Sequence, residues 1–118
     1  MVAAVALADI RFATQSVEER SLGSSLTAEA TWALAASRGD KQAFGRLVDL
    51  HKWVVYGLCV RLLRDPEESR DAAQEAFARS YAALATYDPA QPFAPWVLRI
   101  ARNHCLDVLR RRVPDAQR

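Results

Sequence analysis

Four polar side chains near the C-terminus of this sequence have the types and spacing that could hold a polynucleotide. With Leu106 between the last two, Arg99, Arg102, Asn103 and Arg110 recur at steps of three and four residues within the segment PFAPWVLRIARNHCLDVLRRR. On a helix with about 3.6 residues per turn, that spacing lines them up on one face. Guanidinium groups pair well with phosphates, so the segment predicts a helix that can bind a nucleic acid.

Aromatic side chains accompany this helix. The preceding stretch, TYDPAQPFAP, holds three prolines in ten residues, cannot be helical, and carries Tyr87 and Phe93. Trp96 follows at the head of the helix, and unstacked bases stack on aromatic faces. However, arginines at a helix C-terminus also complement the helix dipole, and Trp96 can fill the space between helices. The residue types alone therefore leave a nucleic-acid surface and a solvated helix end equally open.

The charge distribution indicates two faces with different partners. The net charge of the 118 residues is only +2. Residues 65–88 hold six acidic side chains and two arginines, a net of −4, whereas residues 97–118 hold six arginines and two aspartates, a net of +4. An acidic segment followed by a basic one predicts two oppositely charged binding surfaces.

The hydrophobic pattern predicts an all-α fold, a compact bundle of about four helices. Residues 1–26 are predicted to be a separate tail that ends in the Ser/Gly joint SLGSSL, residues 27–112 the helical domain, and residues 113–118 the start of an interdomain linker. Hydrophobic residues make up 51% of the chain, enough for a core.

Capping signals delimit the predicted helices. Thr27 is the expected N-cap of the first, Gly39 its stop, and Asp40 the N-cap of a second helix to about Arg64. The sequence DPEE starts a third, which we expect to continue to about Thr86. One buried stripe is expected on the second helix: Phe44, Leu47, Val48, His51, Val54, Val55, Leu58 and Leu62.

Metal binding, secretion and catalysis receive little support. Cys59 and Cys105 lie in apolar stretches, and with His51 and His104 they lack recognisable zinc-ligand spacing, so free thiols in a core are the favoured interpretation. Neither a signal peptide nor an apolar run of about 20 residues is present, which predicts a soluble, cytoplasmic protein. No phosphate-binding Gly loop or nucleophile–base arrangement is recognisable, so we expect neither an enzyme nor a cofactor.

Three stretches together resemble region 2 of bacterial RNA polymerase sigma factors of the extracytoplasmic-function (ECF) class. They are GDKQAFGRLVDLHKWVVYGLCVRLLRD, DAAQEAF and PFAPWVLRIARNHCLDVLRRR, in the order and spacing typical of that family. The resemblance implies a factor that binds the RNA polymerase core through the clamp helices of its largest subunit. It also implies recognition and melting of the promoter −10 element by capture of the non-template strand.

The resemblance assigns a partner to each charged surface. It implies polymerase binding by a set on the third helix: Asp71, Gln74, Glu75 and Arg79. It implies DNA binding by a set on the loop and the last helix: Tyr87, Asp88, Gln91, Phe93, Trp96, Arg99, Arg102, Asn103, His104 and Arg110.

Alternatives remain within this resemblance. Arg70 stands where family members often carry an acid, and nothing after Arg112 can form the second, helix-turn-helix domain usual in the class. We therefore expect a fragment rather than a reduced protein. The alternative function is a sigma-like interaction module, bound mainly by an anti-sigma factor or the polymerase, without competent DNA binding.

Overall fold

Four α-helices and one short 3-10 helix form the regular structure of the described residues. The computed structural model describes residues 22–112. The elements are α1 (Leu22–Ser37), α2 (Lys41–Leu63), α3 (Pro66–Ala82), a short 3-10 helix (Leu84–Thr86) and α4 (Phe93–Arg112). Residues 22–112 contain no strand, and the all-α prediction is confirmed. The predicted linker from residue 113, and the tail up to residue 21, lie outside the described residues, so the domain boundaries stay a prediction.

The first helix begins earlier than its sequence suggests. α1 starts at Leu22, so the predicted N-cap at Thr27 is wrong, and part of the Ser/Gly joint is helical. Gly and Ser cost at most about 1 kcal/mol each in a helix relative to Ala, and packing of α1 against α2 can outweigh that cost. The stop is confirmed at Gly39, whose φ of 103° is a conformation that glycine adopts without strain.

Local hydrogen bonds define where α2 begins and ends. The Asp40 side chain accepts hydrogen bonds from the backbone N–H groups of Gln42 and Ala43, which confirms the predicted N-cap. At the other end, Arg64 adopts the left-handed conformation with a φ of 59°, and its N–H donates to the Val60 carbonyl. These caps fix both ends of α2, and the helix packs against its neighbours between them.

The start of α3 is also predicted correctly, but its end is not. Asp65 accepts from the N–H groups of Glu67 and Glu68, at 2.9 and 3.1 Å, and Pro66 occupies the first turn. α3 stops at Ala82 instead of about Thr86, because the chain tightens into the 3-10 helix before entering the proline-rich loop.

Replacement of Asp65 by alanine tests this cap. Asp65→Ala is expected to lower the free energy of unfolding by about 1 kcal/mol, because two N–H groups at the helix start lose their acceptor. Urea unfolding followed by circular dichroism measures the change. Asp49→Ala is the control, because Asp49 is an exposed residue that contacts Lys52 at 3.6 Å and should cost less than about 0.5 kcal/mol. Equal losses in both variants would contradict a special role for Asp65.

The core lies where α2, α3 and α4 meet. Its largest fully buried side chains are Phe44, Phe77 and Phe93, one from each of these helices. α3 contributes small side chains at Ala72, Ala73 and Ala76, which allow its neighbours to approach closely. The predicted stripe of α2 is largely confirmed, except that Val54 is 53% exposed and faces outward.

Two buried thiols meet inside this core. Cys59 of α2 and Cys105 of α4 are fully buried free thiols that lie close enough to affect each other's pKa. Burial raises the pKa of both thiols, so they stay protonated and behave as small core side chains.

Candidate functional site

The last helix exposes its arginine face. Val97, Ala101 and Cys105 are buried, whereas Arg99 and Arg102 are exposed, as the 3.6-residue period predicts. The other predicted members of this face, Asn103 and Arg110, are exposed too, and Arg110 contacts Asp107 one turn back. Burial of these arginines would have removed the cationic surface; the fold leaves it accessible.

Two of these arginines line a groove between α2 and α4, which we call the arginine groove. Its volume is about 530 Å³, and its lining residues include Trp53, Val54, Arg61, Leu98, Arg99 and Arg102. Arg61 and Trp53 were not predicted as site residues, because they come from α2 and only the fold brings them beside α4. The arrangement combines three guanidinium groups with an indole, which suits a backbone phosphate next to a stacking surface.

The aromatic residues of the loop are packed together rather than displayed. The ring centroids of Tyr87 and Trp96 lie 4.8 Å apart, and those of Phe93 and Trp96 lie 5.7 Å apart. Phe93 is completely buried, in the first turn of α4 and not in the loop, and Tyr87 is 5% exposed. The structure therefore corrects the expectation that Phe93 and Tyr87 offer exposed faces to bases: they anchor the loop from beneath. Trp96 is half-buried.

Hydrogen bonds give the loop a defined shape. The Tyr87 hydroxyl donates to the Gln91 carbonyl at 2.5 Å, and the Asp88 carboxylate accepts from the N–H of Ala90 at 3.0 Å. Burial raises the pKa of Tyr87, so its hydroxyl stays a donor at neutral pH. The side chains of Asp88 and Gln91 are exposed on the loop surface. Asp88 thus shapes the turn itself and remains accessible.

A second cavity lies between this loop and α1, which we call the loop pocket. Its volume is about 220 Å³, and its lining residues include Glu29, Ala33, Tyr87, Pro89, Gln91 and Phe93. Glu29 was missed by the sequence analysis, because nothing near it in the sequence indicates that α1 reaches the loop.

Glu29 is held by a histidine from α2. The Nε2 atom of His51 lies 2.9 Å from Oε2 of Glu29, and the carboxylate accepts, so Nε2 carries the proton. Burial lowers the pKa of His51, and the nearby Glu29 carboxylate acts in the opposite direction. The predicted place of His51 on the buried stripe of α2 is confirmed by its 8% exposure.

The predicted polymerase-binding residues form an exposed face on α3. Asp71, Gln74 and Arg79 are exposed, and Glu75 is half-buried. Arg79 donates through Nε to Oε2 of Glu75 at 2.8 Å, which holds that carboxylate in place. A groove of about 280 Å³ runs beside this face; we call it the acidic groove, and its lining residues are Leu63, Glu68, Asp71, Ala72, Glu75, His104 and Val108.

His104 belongs with this acidic groove and not with the arginine groove. It was grouped with the DNA-binding candidates by its place on α4, but it lines the cavity that Asp71 and Glu75 also line. Its Nδ1 atom is buried and has no hydrogen-bond partner among the described residues. Burial, and next the charge of Arg79, lower the pKa of His104, so the ring is neutral at pH 7. Helical periodicity predicts which side of α4 carries His104, but it does not predict that this side lies against α3.

Other classes of site are not apparent in the described residues. Between residues 22 and 112, no group of three or more His, Cys, Asp or Glu side chains is arranged to hold a metal ion. None of the described helices combines the length and the apolar character needed to cross a bilayer. The geometry of the described residues thus includes the arginine groove and the acidic groove, which carry opposite charges on different faces, and the loop pocket.

Two solved structures share this helical arrangement. An engineered region 2 of sigmaE, determined by NMR in complex with GTAAAA, has a TM-score of 0.63 and 32% identity, over 69% of this chain and 84% of that one. CnrH in complex with the cytosolic domain of CnrY has a TM-score of 0.61 and 32% identity, over 68% of this chain and 52% of that one. The fold is thus of the class found in region 2 of RNA polymerase sigma factors.

Sequence comparison gives the family. The family model for sigma-70 region 2 matches residues 47–113, more than half of the chain, and the chain belongs to this family of transcription initiation factors. The ECF RNA polymerase sigma factor SigW of Bacillus subtilis is 41% identical over 78 residues, 66% of this chain. The RNA polymerase sigma-H factor of Pseudomonas aeruginosa is 42% identical over 83 residues, 67% of this chain. The resemblance to ECF region 2 is confirmed.

This chain is shorter than those relatives. The matched part spans 42% of the length of SigW and 42% of the length of the sigma-H factor. What the whole relatives do in transcription is therefore carried over to this chain only as a proposal.

Proposed function

We propose that this chain is a cytoplasmic promoter-melting domain that binds the RNA polymerase core and captures the separated non-template strand of the −10 element. The observation that carries the proposal is the exposure of Arg99 and Arg102 in a groove that reaches Pro95, in the first turn of α4. Pro95 lines the arginine groove, and Phe93, two residues earlier, lines the loop pocket, so both open near the start of α4. In this proposal, a strand held in the arginine groove continues past the start of α4 and places one base in the loop pocket.

The mechanism is capture of an open state, without a chemical step. Separating a DNA duplex costs about 1.4 kcal/mol of stacking per base-pair step. Arg61, Arg99 and Arg102 stabilise the separated strand by pairing with phosphates, and the loop pocket favours a particular unstacked base. The engineered region 2 of sigmaE, a relative with this fold, was determined in complex with GTAAAA, which supports an oligonucleotide ligand for this chain.

The acidic face of α3 is the proposed contact with the polymerase core. Carboxylates and an amide on an exposed helix face can pair with arginines of a partner and give a polar, partner-specific contact. Asp71, Glu75 and His104 line the acidic groove, so a partner side chain can enter it and pair with the two carboxylates. The two surfaces are separate, and both partners can be bound at once.

Titration with DNA tests the nucleic-acid arm of this proposal. Labelled single-stranded GTAAAA is titrated with the 118-residue chain at about 50 and about 200 mM salt, with fluorescence anisotropy as the readout. Binding is expected to weaken at higher salt, with a logarithmic slope of about −0.7 for each neutralised phosphate. Arg102→Ala should make that slope less steep by about 0.7, the contribution of one phosphate contact. Binding that does not respond to salt would exclude a phosphate-holding groove.

Retention of the polymerase tests the second arm. The immobilised chain is expected to retain purified core polymerase, and Glu75→Arg should weaken retention about tenfold or more, because like charges then meet at the contact. Glu67→Arg is the matched control, since Glu67 is exposed near the start of α3 and outside the acidic groove. If both variants retain polymerase equally, the acidic face is not the contact.

A protein-interaction module remains the second candidate. CnrH, a relative with the same fold, has been solved with a protein partner, the cytosolic domain of CnrY, which favours this candidate by analogy. Sequestration by an anti-sigma factor fits this candidate. Retention of polymerase without salt-sensitive DNA binding would favour it over promoter melting.

A further inference from the structure

We propose that Glu29, held in place by His51, makes the loop pocket selective for a base that carries an exocyclic amino group. This inference rests on the proposed function, in which the pocket receives one unstacked base. It adds a specificity-determining residue from α1, a helix outside both the loop and α4.

The pocket gives Glu29 a distinctive position. Among the described residues that line it, Glu29 is the one that carries a charge; its neighbours are alanines, prolines, two aromatics and Gln91. The Tyr87 hydroxyl already donates to the Gln91 carbonyl, so it is engaged in shaping the loop. The Glu29 side chain is 17% exposed, which leaves it reachable from the cavity but shielded from bulk water. A volume of about 220 Å³ suits one base rather than two.

Contacts beneath the pocket fix the carboxylate. His51 Nε2 lies 2.9 Å from Glu29 Oε2, and the His51 ring lies against Phe93 with centroids 5.5 Å apart. Phe93 in turn forms part of the pocket wall. A carboxylate offers about four acceptor positions and no donor, and the bond from His51 uses one of them. Glu29 is therefore a positioned acceptor at a site that a base can reach.

An acceptor of this kind discriminates between the two pyrimidines. Cytosine presents the N4 amino group, a donor, where thymine presents the O4 carbonyl, an acceptor. A carboxylate pairs with the first and repels the second, and adenine offers its N6 amino group in the same way. The pocket should therefore accept cytosine or adenine more readily than thymine.

Homopolymeric hexamers test this preference without knowledge of the binding register. Every register of single-stranded dC6 places cytosine in the pocket, and every register of dT6 places thymine there. The chain is expected to bind dC6 about tenfold more tightly than dT6 in anisotropy titrations at about 50 mM salt. Glu29→Gln should reduce this ratio to about twofold, because its amide can donate to O4 of thymine as well as accept.

A charge-matched variant completes the design. Glu67→Gln removes one negative charge outside the pocket and should leave the dC6-to-dT6 ratio unchanged, even if binding to both hexamers tightens. Circular dichroism checks that Glu29→Gln keeps its helical content.

Two results overturn the inference, and they are distinguishable. A ratio that Glu29→Gln leaves intact, with salt-sensitive binding still present, excludes Glu29 and spares the proposed function. Failure of the unaltered chain to bind any hexamer in a salt-sensitive way refutes the proposed function and this inference with it.

Discussion

Replacement of both Arg99 and Arg102 by glutamate is expected to weaken the binding of single-stranded DNA by at least about 100-fold. Both side chains are exposed and line the arginine groove, and each reversal turns an attraction for phosphate into a repulsion. Because neither residue belongs to the core, the circular dichroism spectrum and the urea midpoint should stay close to those of the unaltered chain. Anisotropy titration with GTAAAA measures the loss.

The control for this prediction is a second double variant with the same change in net charge, at residues outside the arginine groove. Arg38→Glu with Lys41→Glu alters two exposed residues around the α1–α2 turn, outside the arginine groove. Charges beyond about 8 Å are largely screened at physiological salt, so this variant should lose only a few-fold in affinity. Equal losses in the two double variants would show that binding depends on overall charge and not on the arginine groove.

The second large effect concerns stability. Phe44→Ala is expected to lower the free energy of unfolding by about 3 to 5 kcal/mol, because it removes a fully buried ring and leaves a cavity. Phe44 contacts Tyr81 of α3 with centroids 5.0 Å apart and Phe93 of α4 at 6.2 Å, so it joins three helices. A domain of this size has about 5 to 15 kcal/mol in total, and the variant should unfold at a much lower urea concentration.

Val54→Ala is the matched control for this core substitution. Val54 lies on the same helix but is 53% exposed, so its truncation should cost less than about 0.5 kcal/mol. A loss below about 1 kcal/mol for Phe44→Ala would mean that the three helices do not depend on this ring.

Helix starts that depend on local chemistry could be predicted from the sequence. Asp40 and Asp65 cap their helices through bonds to residues two and three positions away, and such patterns are visible in the chain itself. The start of α1 could not, because its Ser and Gly residues are poor helix formers and Thr27 offered a more typical N-cap. Val54 shows a related limit: its spacing fits the apolar stripe, but the position of the neighbouring helices determines how wide the buried face is.

The residues of the candidate site also include some that the sequence predicts and some that only the fold brings together. The arginine face of α4 follows from its period, whereas Arg61 and Glu29 join the site from other helices and carried no local signal. His104 was placed on the correct helix but lines the acidic groove, because periodicity does not identify the neighbouring helix. Phe93 and Tyr87 have residue types suited to stacking on bases, but both are buried and pack beneath the loop instead.

A single rod, α4, joins the two proposed contacts. Arg99 lines one groove and His104 the other, only about 8 Å apart along the helix axis at 1.5 Å per residue. Because a helix is stiff over this length, a tilt of α4 caused by polymerase binding at the acidic groove would also move the arginine groove, where the DNA strand is proposed to bind. Binding of the polymerase core at the acidic groove would thereby orient the arginine face of α4 relative to the DNA.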